Sequence, residues 1–297
     1  MDLRRVFRDG WILKERYKKV TYFSRNAPVR SPRFQSLIAA KKKRTVMAAQ
    51  HALRPIFRQL FESTSCTYTY LLGCPKTRKA LIIDPVYETV DRDTKLINEL
   101  GLDLVYGLNT HVHADHVTGT GELKRRFPKM LSVLSAQSGG KADLYVNQGD
   151  TIGVENVELE VRPTPGHTDG CVTFVDHQGR KAFTGDALLI RGCGRTDFQQ
   201  GDAGHLYRSI HEQILSLPDD FLLYPAHDYR GVMVTSVTEE KQFNPRTTKP
   251  LKVFVDIMDN LNLPYPKQLD KSLPANLVCG IYELFDTELK KKVGGKQ

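Results

Sequence analysis

One stretch constrains this chain more than any other. Thr110-His111-Val112-His113-Ala114-Asp115-His116 follows an apolar, strand-like run, Leu104-Val105-Tyr106-Gly107-Leu108-Asn109. Three imidazoles and a carboxylate fall within six positions. A neutral imidazole offers one nitrogen lone pair to a metal, and a carboxylate offers oxygens. An extended backbone sends alternate side chains to opposite faces, so His111 and His113 are expected on one face. A bend after the strand brings Asp115 and His116 round to the same point. This grouping predicts a metal site at the end of a strand.

Three more polar points are expected at strand ends. Val157–Val161 runs into Pro163-Thr164-Pro165-Gly166-His167. Cys171–Val175 and Lys181–Phe183 read as a hairpin, and its second strand ends at Thr184-Gly185-Asp186. Phe221–Tyr224 delivers Pro225-Ala226-His227. A sheet fixes the loops at its strand ends, which is where functional groups collect. Five of the nine histidines lie in these points; His51, His177, His205 and His211 read as ordinary surface or helix residues.

Earlier in the body, Ile56–Phe61, Thr67–Leu72 and Ala80–Ile83 predict an antiparallel meander ending at Asp84-Pro85. Helices are expected over Asp93–Leu100, Gly119–Phe127, His205–Leu217, Val237–Phe243 with Ser236 as N-cap, and Leu251–Leu261, with a strand at Met130–Leu134. After that, Pro264, Pro266 and Pro274 are expected to break the chain. Strands first, then strands alternating with helices, predict an α+β domain of sheets with helices packed outside them.

The formal charge of +9 suggests a nucleic-acid partner until it is located. Residues 1–44 carry fourteen Lys/Arg and three acidic residues, so the remainder is −2. The surplus belongs to a basic, serine-containing leader over residues 1–46, read as an organellar (mitochondrial) transit peptide, with a disordered basic tail or a nuclear-type basic cluster as alternatives; Asp2, Asp9 and Glu15 count against the transit reading. Met47 is a candidate internal start for a cytosolic form, and residues 47–297 form the globular part, with a helical extension from about 231. Neither nucleic acid nor membrane is expected as a partner, since no apolar run approaches the ~18 residues of a transmembrane helix. The five cysteines, Cys66, Cys74, Cys171, Cys193 and Cys279, are scattered and form no CxxC pair, which argues against a disulfide framework.

HxHxDH followed by His, Asp and His resembles the metallo-β-lactamase superfamily over about residues 55–230. That resemblance implies a four-layer αβ/βα sandwich with metal at one edge. By its two-metal members, His111, His113 and His167 would hold one ion and Asp115, His116 and His227 another, with Asp186 bridging; spacing does not choose between one ion and two. The stretches Gly185–Gln199, Tyr224–Tyr229, Asn109–Gly121 and Pro165–Thr168, with Asn244-Pro245-Arg246 and Leu273-Pro274-Ala275-Asn276, further resemble the persulfide dioxygenases. This second resemblance implies a single Fe(II) on His111, His167 and Asp186. It also implies oxidation of glutathione persulfide by O₂, in a mitochondrial sulfide-detoxifying role. Two histidines and one carboxylate leave coordination positions open, as an oxygen-activating iron requires.

His113, Asp115, His116 and His227 would then orient ligands and water from outside. Glutathione has two carboxylates, so cations are expected in its pocket: Arg195 first, Arg191 as a weaker candidate, with Tyr229 as a hydrogen-bonding group. Cys193 is read as a buried structural thiol. The rival within the superfamily is a hydroxyacylglutathione hydrolase with a Zn²⁺ pair. Against it, only about seventy residues follow His227, without the long basic, aromatic domain expected of that family. A homodimer is left open.

Overall fold

The apolar strands alternate so that both faces are buried, and this dictates the layering. In β2 (Thr67–Gly73) and β3 (Lys79–Ile83), Tyr70, Leu72, Leu81 and Ile83 face one core, while Leu71, Ala80 and Ile82 face another. A strand covered on both sides reads as a continuous apolar run, which is what these segments are. The computed structural model describes residues 54–293, so the expected leader over 1–46 and the start at Met47 lie outside the described residues.

Two six-stranded sheets carry the fold. The first runs in spatial order from β1 (Ile56–Glu62) through β2, β3, β4 (Asp103–Leu108) and β5 (Leu131–Ser135) to β6 (Leu144–Val146). The second comprises β7 (Thr151–Val154), β8 (Val157–Pro163), β9 (Val172–Asp176), β10 (Lys181–Gly185), β11 (Leu222–Pro225) and β12 (Thr235–Ser236), also neighbour to neighbour. Tyr70, Leu81, Val133, Leu159, Phe174 and Phe183 meet between the sheets. On the outer face of the first sheet lie α1 (Val90–Glu99) and α2 (Thr120–Arg126), through Val90, Ile97 and Leu123. Outside the second lie α3 (Ala203–Ser209) and α5 (Leu251–Asp259), through Leu206, Phe254 and Met258. This is the four-layer α+β arrangement the resemblance implied. Among the described residues no helix is long and apolar enough to cross a membrane.

Most expected elements are present, with shifted ends. The β1–β3 meander is antiparallel and β3 pairs parallel with β4. The helix expected over His205–Leu217 is α3 followed by a π-helical turn, Ile210–Ile214, and Leu206, Ile210, Ile214 and Leu217 are buried as its periodicity requires. Helix α4 (Val237–Phe243) starts at Ser236, whose side chain accepts the Glu239 N–H. Two findings differ from expectation. Strands β6, β7 and β12 are too short to announce themselves. Pro274 does not break the chain; it sits inside α6 (Leu269–Leu277), which is followed by α7 (Thr287–Val293).

Topology places the site. Strands β3 and β4 are parallel, so Asp84 and the 109–119 loop leave the first sheet at one edge. In the second sheet, β10 is parallel to β11, and β8 and β10 are both antiparallel to β9. The loops carrying His167, Asp186 and His227 therefore leave at a common edge as well. Backbone bonds stitch the two edges together: Tyr68 N–H donates to Ala226 O at 2.7 Å, and Val172 N–H to Thr110 O at 2.9 Å.

Candidate metal centre

His111, His167 and Asp186 converge, each able to aim one ligand atom at a common point, with these atoms within 4.8 Å of one another. Hydrogen bonds decide which atoms are free. Thr110 Oγ1 donates to Asp84 Oδ2 at 2.9 Å, so its lone pair is left to accept from His111 Nδ1 at 3.0 Å. His167 Nδ1–H donates to Arg195 O at 2.6 Å. Both imidazoles thus hold their proton on Nδ1 and turn the Nε2 lone pair to the centre. Asp186 Oδ1 accepts from His227 Nδ1 at 2.6 Å, while its Oδ2 lies 3.7 Å from His167 Nε2. Two neutral imidazoles and a carboxylate, each with one oriented free donor atom, fit a divalent first-row metal with open positions.

His113 is not among these three: its Nε2 lies 3.0 Å from Asp84 Oδ1. A second set of His113, Asp115 and His116 approaches within the same 4.8 Å, and His113 Nδ1 and His116 Nε2 are buried without a partner. His227 spans the two sets. Its Nε2 lies 2.7 Å from Asp115 Oδ2 and 3.0 Å from Thr67 Oγ1, and its Nδ1 binds Asp186. Burial lowers the His227 imidazole, but the Asp115 and Asp186 carboxylates outweigh it and hold it well above its usual range. Burial raises the Asp186 carboxyl, and His227 with the neighbouring imidazoles reverses this, holding it below the usual carboxylate range. His111, buried and beside His113, is kept neutral, as a ligand must be.

Glycine makes two of these approaches possible. A Cβ on Gly194 would lie 2.8 Å from the His167 ring and 2.5 Å from Asp186 O. Gly166, at φ 129°, brings the chain before His167 within 2.2 Å, for a built Cβ, of Leu206 N. Only a residue without a side chain fits either place.

A cavity of about 400 Å³ opens onto His167, Asp186 and His227. All three predicted substrate residues line it, in unequal states. Arg195 is already engaged: Nε and Nη2 each lie 2.6 Å from an Asp197 oxygen, and Nη1 donates to Pro264 O at 2.9 Å. Arg191 is held by Glu239 at 2.5 Å and by the buried Glu240. Both guanidiniums fix the cavity wall, the first by tying the 195–197 loop to the segment at 263–264. Tyr229 stands free, 70% exposed, its ring parallel to that of His227 with centroids 6.1 Å apart. Cys193 is buried, and burial pushes its thiol up to about 11 despite nearby Arg246, so it is no nucleophile at neutral pH.

Sequence reasoning missed three participants. Asp84 read as a strand-end turn residue, yet it is buried and takes Thr110 N–H at 2.7 Å, Thr110 Oγ1 and His113. Thr67 bridges His116 and His227. Arg246 lines the cavity with Nη1 on Cys193 O at 3.1 Å and no carboxylate within ion-pair reach among the described residues. Its only signal was a basic residue after Asn244-Pro245.

Known proteins share this chain's sequence and fold. The family model of the metallo-beta-lactamase superfamily matches residues 67–227. The Mus musculus protein named persulfide dioxygenase ETHE1, mitochondrial, is 57% identical over 226 residues, spanning 76% of this chain and 89% of that protein. The crystal structure of ETHE1 from Myxococcus xanthus superposes with a TM-score of 0.73 at 50% identity, covering 76% of this chain and 99% of that one. A Schizosaccharomyces pombe probable hydroxyacylglutathione hydrolase is more distant, 33% identical over 174 residues, or 57% of this chain and 67% of that protein. Identity of this extent, on this fold, places the chain in the persulfide dioxygenase family of the metallo-beta-lactamase superfamily.

Proposed function

We propose that the protein binds one Fe(II) through His111, His167 and Asp186 and oxidises glutathione persulfide in mitochondria. The balanced reaction is glutathione persulfide plus O₂ plus water giving glutathione, sulfite and two protons. One observation carries the single-ion reading: both oxygens of Asp186 have assignments, one to the centre and one to His227, whose other nitrogen faces Asp115. His227 thereby lies between the two carboxylates that a second ion would need. Iron with open positions supplies the electronic means for O₂ and a sulfur anion to react.

The remaining tasks fall to the chain. Thr110 and the Arg195 carbonyl hold the two imidazoles in the Nε2-facing tautomer. The cavity admits the glutathionyl part, and its apolar wall, with Leu189, Ile190, Phe198 and Leu263, excludes water from the reacting end. Of the four arginines lining the cavity, Arg191 and Arg195 are neutralised, which leaves Arg246 and Arg230 as the cations for a substrate carboxylate. Arg246→Ala is expected to raise KM for glutathione persulfide about tenfold or more with kcat little changed, the effect of a lost charge-assisted hydrogen bond. Steady-state oxygen uptake measures it; an unchanged KM removes Arg246 from substrate binding.

The names of the relatives favour the mitochondrial, persulfide-oxidising reading over thioester hydrolysis. Purifying the protein without oxygen and following sulfite and oxygen tests it. One iron per chain with sulfite formed from glutathione persulfide is expected. A stoichiometric zinc pair with hydrolysis of a glutathione thioester would replace the proposal by the hydrolase reading.

A further inference from the structure

The 109–119 loop that carries His111 and Asp115 has almost no regular structure, so its buried backbone groups need partners from elsewhere. The first half finds them in the sheets and in one side chain: Thr110 N–H on Asp84, Thr110 O on Val172 N–H, and Val112 O on Gln199 Nε2 at 2.8 Å. In the second half, Val117 O takes Tyr87 N–H and Gly119 N–H donates to Pro85 O, and three further groups are held by one residue more than 150 positions away. Asn276, on α6 and 3% exposed, donates Nδ2 to His113 O and to His116 O, both at 2.8 Å. Its Oδ1 accepts Thr118 N–H at 2.8 Å.

We propose that Asn276 is a positioning residue for the metal centre, through which the C-terminal helices set the affinity and geometry of the site. The inference rests on the metal reading above. Its chemistry is specific. Two carbonyls and one N–H must be satisfied by one buried side chain, and only a carboxamide offers two donors and an acceptor on adjacent atoms. A carboxylate in that place keeps Thr118 but turns its other oxygen on two carbonyl oxygens, and a serine hydroxyl donates only once. The clamped carbonyls flank Asp115, the residue that holds His227 against Asp186. A release of the clamp therefore reaches the centre through the loop backbone rather than through a direct contact. Beside these bonds, and Lys141 N–H on Leu277 O at 2.8 Å, the C-terminal segment docks by apolar packing of Val117, Ala275, Phe285 and Leu289. That separation makes the test clean, because packing can be weakened without touching the three hydrogen bonds.

The full chain is compared as wild type, Asn276→Asp, Asn276→Ser and Leu289→Ala, stripped of metal and titrated without oxygen with Co(II), a coloured stand-in for Fe(II). Both Asn276 variants are expected to bind Co(II) about 10- to 100-fold more weakly, the range for lost supporting interactions around a metal site, with altered visible bands. Leu289→Ala is expected to lower the melting temperature of the metal-free chain while keeping the wild-type affinity and spectrum. The proposal is overturned if the Asn276 variants bind as wild type, if Leu289→Ala weakens binding by the same factor, or if neither Asn276 variant folds, since each makes Asn276 a residue of the fold alone. Failure of the wild type itself to take up Co(II) would instead bring down the metal reading on which this one stands.

Discussion

Asp186→Asn is expected to empty the proposed metal centre while leaving the fold intact. The substitution preserves shape, and the amide oxygen still accepts the His227 Nδ1–H that Oδ1 now accepts at 2.6 Å. That assignment turns the amide NH₂ towards the place of Oδ2, opposite His167 Nε2. A donor then stands where the metal needs an acceptor, and the one negative charge in the ligand set is gone. Supporting residues around metal sites are worth about 10- to 100-fold in affinity, so a lost ligand is expected to exceed about 100-fold. Metal content after dialysis, oxygen uptake and circular dichroism measure the three parts of this expectation. A variant that retains stoichiometric metal would show that Asp186 serves His227 and not the centre.

Asp84→Ala has the largest expected effect on stability. Asp84 lies 1% exposed, and its two oxygens take the Thr110 N–H, the Thr110 hydroxyl and His113. Burial lowers the His113 imidazole and the Asp84 carboxylate overrides that, raising it from its usual value. Removing this acceptor leaves three buried donors without a partner, at a cost of about 1–3 kcal/mol each. For a domain of this size each kcal/mol moves the melting temperature by about 2–4 °C, so a fall on the order of 10 °C is expected. The metal-free chain is the right sample for calorimetry. A melting temperature within about a degree of wild type would mean the three bonds to Asp84 contribute little.

The parts of the site that the chain announces are those where chemistry and strand ends coincide. His111, His167, Asp186 and His227 each follow an apolar run, and an apolar run predicts its own exit point. Which imidazole belongs to which set is a different matter. The pairing of His113 with Asp84 depends on a parallel β3–β4 register that no local pattern contains. Asn276 is hidden for the same reason, since a lone Asn after Pro274-Ala275 looks like a helix terminus. Arg195 shows the opposite error. Its acidic partner Asp197 stands two residues on, but the carbonyls of Leu263 and Pro264 complete the cage from far along the chain. Charge in a cavity wall is therefore readable from sequence, and free charge is not. Arg246 and Arg230 qualify because carboxylates found Arg191 and Arg195 first.

Strands β6, β7 and β12 escaped notice because each has two to four residues, too few for a period of two to register. Pro274 is tolerated inside α6 although it contributes no N–H to that helix, so proline alone does not mark the end of a helix here.

The account turns on where the ion sits. Crystals of protein loaded with Fe(II) without oxygen, measured with X-rays on both sides of the iron absorption edge, locate it directly. One anomalous peak is expected, bonded to Nε2 of His111, Nε2 of His167 and Oδ2 of Asp186, with His227 still against Asp115. A peak among His113, Asp115 and His116, or two peaks sharing Asp186, would contradict it.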